Sequence, residues 1–349
     1  MNRKGAFRHL FLINRSIELM APADKSMPNM PNILGPLISA GGWAALSLGV
    51  AYAGVCFTLY QAQGNLIFRP LPTLLRTPAE LGLPYEDVWI PAADGGRLHS
   101  WWLPNPNGKE DKVLLFCHGN YGNISYNTER IRFFHSLGFS ILAFDYRGFG
   151  QSTGQSESQP ESQPESQSDT RSVPNEKSTY ADAVSAWRYL TETRGISPER
   201  ITTMGHSMGG AIAIYLATQP IAQNMARLII TSSFTTMEDA VKAKRIYSLF
   251  PIRQLLTEPF DSMSRVKNLS VPVLYVHGDQ DFDVPAPMSQ QLYDASPEPK
   301  RIWLAPGASH NNIYSELGDR YAEVIQRFMA DYPAQTKALG AKHPMRTTA

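Results

Sequence analysis

The chain is poor in cysteine, with Cys56 and Cys117 its only two. Cys56 lies in an apolar stretch and Cys117 in a run that reads as a buried strand, so neither a disulfide framework nor a cysteine-based zinc site is expected. It also lacks a surplus of charge. Thirty-two basic residues meet 31 acidic ones for a net charge of +1, and no long basic run occurs, which argues against a nucleic-acid partner. No Gly-x-x-x-x-Gly-Lys-Ser/Thr loop is present. Residues 148–154 (GFGQSTG) brush against a dinucleotide fingerprint, but the third glycine is misplaced and no helix follows. No nucleotide cofactor and no metal is implied.

One absence is local. Between Lys25 and Arg69 there is no charged residue at all. Inside that gap, residues 33–60 (ILGPLISAGGWAALSLGVAYAGVCFTLY) are long and apolar enough to cross a bilayer as one helix. Trp43, Tyr52 and Tyr60 suit interfacial positions. A buried core helix would rarely be apolar all round for this length, and a cleaved signal peptide would have a shorter lead and apolar run. The polar extension of residues 1–32 carries Arg3, Lys4, Arg8, Arg15 and Lys25 against Glu18 and Asp24. That excess predicts a cytoplasmic N-terminus and the remainder of the chain on the other side of the membrane.

At 349 residues and 43% hydrophobic, the remainder can hold one large domain with a sizeable core. Residues 85–90 and 97–103 read as strands joined by a hairpin signal containing Gly95-Gly96. Residues 112–117 (KVLLFC) and 139–144 are short apolar runs, as expected of strands covered on both faces, with a helix predicted between them over 127–137. Strand, helix, strand at this rhythm implies a parallel sheet with crossover helices. Residues 155–175 hold Glu-Ser-Gln-Pro twice in succession and no packed element, so they read as a disordered insertion. Order resumes with a helix carrying Tyr180, Ala183, Trp187 and Leu190 on one face, Ser178 being its candidate cap. Strands follow at 227–231, 271–277 and 301–304, and a closing amphipathic helix at 317–329. Residues 232–268 form an irregular helical stretch that could make a small cap. Residues 335–349 read as a disordered tail.

The chemistry centres on residues 201–212, ITTMGHSMGGAI. A β-prone run ends in Gly205-His206-Ser207-Met208-Gly209, and a small-residue helix follows. In that strand–turn–helix setting the serine becomes a nucleophile. Its hydroxyl needs a base to accept its proton, and the base needs a third group to orient it. Of eight histidines, His9 and His343 lie in the terminal extensions, while His99 and His135 sit within a strand and a helix. His206 adjoins the nucleophile but points away from its hydroxyl, and His118 and His277 precede the base in the expected chain order. His310 remains, on a Gly/Pro-rich loop after the final strand, in the order Ser…Asp…His. The acid belongs just past the preceding strand, where Asp279, Asp281 and Asp283 are all available. For the oxyanion, one backbone donor is Met208, at the positive end of the helix. The second falls in the loop of residues 118–123 (HGNYGN), at Asn120 with Tyr121 as the alternative.

Residues 277–285 (HGDQDFDVP) resemble the His-Gly-x-x-Asp-x-x-Val-Pro signature of the α/β-hydrolase superfamily, and the resemblance assigns the acid to Asp281. The likeness is wider. An apolar N-terminal segment, residues 63–70 (QGNLIFRP), the His118 loop, residues 145–152 (DYRGFGQS), the Ser207 turn, the Asp281 block and His310 recur in that order. Over residues 33–332 the chain resembles the membrane-anchored serine hydrolases of the superfamily, the branch with bud-emergence and protein-depalmitoylating members. The repeat insertion and the polar extension depart from that pattern without removing a catalytic position. The resemblance implies an α/β-hydrolase fold over 61–334, a mostly parallel central sheet with helices on both faces, preceded by one transmembrane helix. It implies an acyl transfer to water on an ester or thioester, with a lipid-like or acylated substrate, or an acylated protein. Two other readings stand beside it: a peptidase using the same residues, and a catalytically silent binding protein on a hydrolase fold.

Overall fold

The computed structural model describes residues 40–93, 95–108, 111–154 and 173–333. The polar extension, the first residues of the expected anchor, residues 155–172 of the expected insertion and the tail from 335 lie outside the described residues. The chain divides into two bodies, one through Gly54 and one from Val55 onward.

The described part of the first body is the beginning of helix α1 (Ala40–Ile67). Trp43, Leu46, Leu48 and Val50 are exposed there. The stretch Gly42–Ile67 has 26 residues and contains an 18-residue window of mean hydropathy 1.5 of which none is buried. At 1.5 Å per residue it is about 39 Å long, more than the ~30 Å of a bilayer core, so it is long and apolar enough to cross a membrane. The helix overruns the expected end at residue 60. Glutamine and asparagine lower the hydropathy after Tyr60, but nothing there breaks a helix until the chain extends ahead of Pro70.

Among the described residues the second body holds ten strands: β1 (Arg69–Pro70), β2 (Glu86–Pro91), β3 (Arg97–Leu103), β4 (Val113–Cys117), β5 (Tyr121–Gly122), β6 (Ser140–Phe144), β7 (Ile201–His206), β8 (Arg227–Thr231), β9 (Val273–Gly278) and β10 (Lys300–Ala305). Eight of them form one sheet in the order β10-β9-β8-β7-β4-β6-β3-β2, with β1 and β5 paired separately. In the large sheet only β3 runs against the rest. Each inner strand is buried on both faces, as a parallel sheet between helix layers requires. In β4, Val113, Leu115 and Cys117 enter one core with Trp187 and Ile212, while Leu114 and Phe116 enter the other with Phe134 and Ile325. Burial also pushes the Cys117 thiol up to about 12, which leaves it inert.

The helices of this body are α2 (Thr128–Ser136), α3 (Glu176–Arg188), α4 (Met208–Ala217), α5 (Met237–Ala243), α6 (Ile252–Leu255), α7 (Ser262–Val266), α8 (Pro287–Ala295), α9 (Ile313–Glu316) and α10 (Gly318–Asp331). Helix α3 starts with a capping box, but the cap is Asn175 rather than Ser178. Asn175 Oδ1 accepts the Ser178 N–H at 2.8 Å, and the Ser178 hydroxyl accepts the Asn175 N–H at 3.0 Å. Strand β9 begins at Val273, two residues later than expected, because Pro272 has no N–H to give a ladder. From β4 the chain crosses to β6 on one side and then to β7 on the other, so the strand order reverses at β4. The crevice beyond the ends of β4 and β7 is where ligands bind in such sheets.

Candidate active site

Strand β7 ends at His206, and Ser207 follows with φ 55° and ψ −121° before α4 begins at Met208. That is the left-handed region, which a β-substituted residue adopts only when its surroundings force it. They do so here. A Cβ on Gly205 would sit 2.2 Å from the Gly209 carbonyl oxygen, and one on Gly209 would sit 2.1 Å from that of Cys117. Glycine at both positions lets α4 press directly against the ends of β7 and β4. The turn is locked by Ser207 N–H donating to Thr231 O at 2.9 Å and by Ser207 O accepting from the Ser233 hydroxyl at 2.9 Å. The Ser207 side chain is left at the rim of the crevice.

The loop after β9 brings up the acid. Asp281 Oδ1 accepts the backbone N–H of Asp283 at 2.8 Å and of Val284 at 2.9 Å. Its Oδ2 receives two imidazoles, His277 Nε2 at 3.0 Å and His310 Nδ1 at 2.7 Å. Burial raises the Asp281 carboxyl. The hydrogen bonds from His277 and His310, the His310 charge and the Val284 N–H outweigh it and hold the group well below the usual carboxylate range. An ionised carboxylate only accepts, so His310 carries its proton on Nδ1 and, when neutral, has Nε2 free as an acceptor. His277 Nε2 also lies 2.9 Å from Val284 O, so it too must be the protonated nitrogen, and His277 Nδ1 accepts from the Ser289 hydroxyl at 2.6 Å.

The loop of His310 is bound to that of Asp281. Gln280 N–H donates to Ala308 O at 2.9 Å, and Asp279 Oδ1 accepts Gly307 N–H at 2.7 Å. A side chain on Gly278 would meet Ala308 O at 2.3 Å, so the close approach needs glycine. His206 braces the loop from below. Its Nε2 donates to His310 O at 3.0 Å, and the two rings lie 5.0 Å apart. Burial and the charges of Arg130 and His310 hold His206 neutral, well below the ordinary histidine range. Among the described residues the Ser207 hydroxyl makes no hydrogen bond. His206, the residue before it, links the Ser207 turn to the His310 loop.

The loop of residues 118–123 packs on the other side of Ser207, with Gly119 so placed that a Cβ on it would lie 3.5 Å from Ser207 Cβ. Among the described residues, neither the Met208 nor the Asn120 backbone N–H has an acceptor. Behind the loop lies a buried carboxylate. Asp145 Oδ1 accepts Ile124 N–H at 2.7 Å and lies 3.3 Å from His118 Nε2, while Oδ2 is 3.7 Å from His99 Nδ1. A Cβ on Gly150, at φ 52°, would strike Asp145 Oδ2 at 2.1 Å, so Gly150 serves this buried turn.

Of the five sequence-derived site residues, Asp281 and His310 are hydrogen-bonded to each other, Met208 directly follows Ser207, and Asn120 lies in the loop whose Gly119 approaches Ser207; Asp281 is the one of the three aspartates that meets His310. Asp279 holds Gly307, and the exposed Asp283 lies 3.2 Å from Lys244 Nζ. Sequence reasoning passed over His277 as the second partner of Asp281. The signal was its place four residues before Asp281 in the same block. Among the described residues, no group of three or more His, Cys, Asp or Glu could hold a metal ion.

Comparison with known proteins agrees with this architecture. A family profile described as the alpha/beta hydrolase fold matches residues 112–249. An uncharacterized protein of Mycobacterium tuberculosis is 31% identical over 279 residues, covering 80% of this chain and 91% of that one. Protein bem46 of Schizosaccharomyces pombe is 28% identical, covering 86% of this chain and 96% of its own. Among solved structures, a Pyrococcus furiosus esterase superimposes with a TM-score of 0.61 at 18% identity, over 76% of this chain and 98% of that one, a likeness of fold. The strand order, the glycine-locked turn at Ser207 and these relatives lead to one conclusion: the chain belongs to the α/β-hydrolase family.

Proposed function

We propose that the protein is a serine hydrolase that cleaves carboxylic ester or thioester bonds of a lipid-like or acylated substrate. The observation that carries the reading is the Asp281–His310 hydrogen bond of 2.7 Å, beside a serine held at positive φ. Asp281 fixes the tautomer of His310, and His310 Nε2 takes the Ser207 hydroxyl proton as Oγ bonds to the substrate carbonyl carbon. The carbonyl electron pair moves to oxygen, where the N–H groups of Met208 and Asn120 stabilise it. Collapse breaks the carbon–oxygen or carbon–sulfur bond, and His310 passes its proton to the leaving alcohol or thiol. Water, deprotonated by His310, then attacks the acyl-enzyme and frees the acid and Ser207.

The reading is tested by turnover of p-nitrophenyl esters, acyl thioesters and peptide amides by the full-length protein and by Ser207→Ala. Ester or thioester hydrolysis that vanishes in the variant is the expected result. Preferential cleavage of amides would replace the reading with a peptidase, and no turnover of any class would leave a binding protein. The basic excess ahead of α1 further supports a domain on the non-cytoplasmic side. Protection of the domain from protease added to the cytoplasmic face is expected, and its digestion there would reject that topology.

A further inference from the structure

A groove of about 230 Å³ opens beside the crevice. One wall is the end of α1, with Leu59, Gln63, Leu66 and Ile67; the other comes from α5, α6 and the turn between them, including Val241 and Leu255. It reaches the oxyanion loop through Asn120. Four polar side chains line it, Gln63, Asn120, Lys244 and Tyr247, and the first three are engaged elsewhere. Gln63 Nε2 donates to Leu255 O at 3.0 Å, and its Oε1 accepts Thr257 N–H at 2.8 Å, pinning one wall to the other. Asn120 Nδ2 donates to Ile67 O at 2.6 Å, and Arg69 N–H donates to Asn120 O at 2.8 Å, so the loop is fastened to the end of α1. Lys244 Nζ donates to Phe282 O at 2.9 Å, which fastens the far wall to the Asp281 loop. What remains for an occupant to touch is mainly hydrocarbon, with the Tyr247 phenol as the polar exception.

Resting on the hydrolase reading above, we infer that the last turns of the candidate membrane helix are part of the substrate site. They form one wall of a groove for a single acyl chain, and they position the oxyanion loop through the Asn120–Ile67 hydrogen bond. The same helix is the candidate membrane span, so an acyl chain lying along α1 is already against that wall. A single-chain amphiphile fits better than a compact water-soluble ester, because a groove lined mainly by hydrocarbon rewards apolar surface.

The test uses the full-length protein in detergent micelles with two readouts: binding of a fluorescent decanoate-length fatty acid, and the ratio of kcat/KM for p-nitrophenyl decanoate over acetate. Leu66→Trp, which fills the groove from the α1 side, should lower both by about tenfold. Val241→Trp fills it from the opposite wall and should do the same, which guards against a folding defect peculiar to either variant. Leu48→Trp, on the same helix but remote from the groove, should alter neither. Fatty-acid binding and chain-length ratio untouched in both groove variants, or altered equally by Leu48→Trp, would overturn the inference. Binding that depends on Leu66 in a protein that turns over neither ester would keep the groove and sink the hydrolase reading instead.

Discussion

The rim that carries Ser207, Asp281 and His310 and the flank made by α5, α6 and the end of α1 are built by different means. At the rim, backbones approach so closely that Gly205, Gly209 and Gly278 have no room for a methyl group, and Asp281 accepts four hydrogen bonds. On the flank, short helices leave Ile246 and Leu249 about two-thirds exposed, and a few hydrogen bonds from Gln63 and Lys244 hold the walls together. Over-determined geometry suits a reaction that tolerates little misplacement. A lightly tied wall suits a site that must open for a chain of variable length. Chemistry and selectivity are thus separable, and substitutions should sort accordingly.

The sharpest contrast comes from removing the reacting groups. Ser207→Ala or His310→Ala should lower ester turnover by about 10⁵-fold while the melting temperature stays close to wild type. Steady-state kinetics with calorimetry checks this, and unfolding of either variant would mean the rim is structural rather than catalytic. Asp281→Asn should cost about 10⁴-fold, because an amide can present the wrong partner to His310. It should also change the pH dependence of stability. The Asp281 carboxyl is depressed in the folded state, so its contribution is present above the unfolded carboxyl range and fades as pH falls through the folded value. The stability difference between wild type and Asp281→Asn should therefore be flat from pH 8 down to about 4 and shrink below that. Urea titrations across pH measure it; a difference that shrinks near neutrality would contradict the assignment.

Smaller effects mark the edges of the comparison. Gly278→Ala should destabilise by about 3 kcal/mol, since its methyl meets a carbonyl oxygen of the His310 loop. A neutral outcome by thermal melting would show that the rim can give. Lys242→Ala on the outer face of α5 removes an ion pair with Glu238 and should cost under about 0.5 kcal/mol, with unchanged kcat/KM. A large loss there would mean that the flank is held as tightly as the rim.

How much of this the sequence carried follows the same division. The β7–Ser207–α4 turn was legible because a buried strand, two glycines and a small-residue helix are all local signals. His310 followed from chain order and loop position, whereas spacing alone left three aspartates open until the resemblance chose Asp281. The direction of a side chain at a strand end is not a local property, so His277 went unread as a partner of Asp281. The reading of residues 33–60 as one apolar segment gave no sign that α1 continues to Ile67, because hydropathy falls after Tyr60 while helix geometry continues. The groove was invisible, since Gln63 and Thr257 meet across 194 residues of chain.

The central claim, that Ser207 is a nucleophile activated by His310, has a direct measurement. The full-length protein is treated with a fluorophosphonate and the adduct is located by peptide mass spectrometry, in wild type and in His310→Ala. The account predicts a single adduct on Ser207 that is lost or greatly slowed in the variant. Folded protein that stays unlabelled, or labelling of Ser207 that proceeds equally without His310, would contradict it.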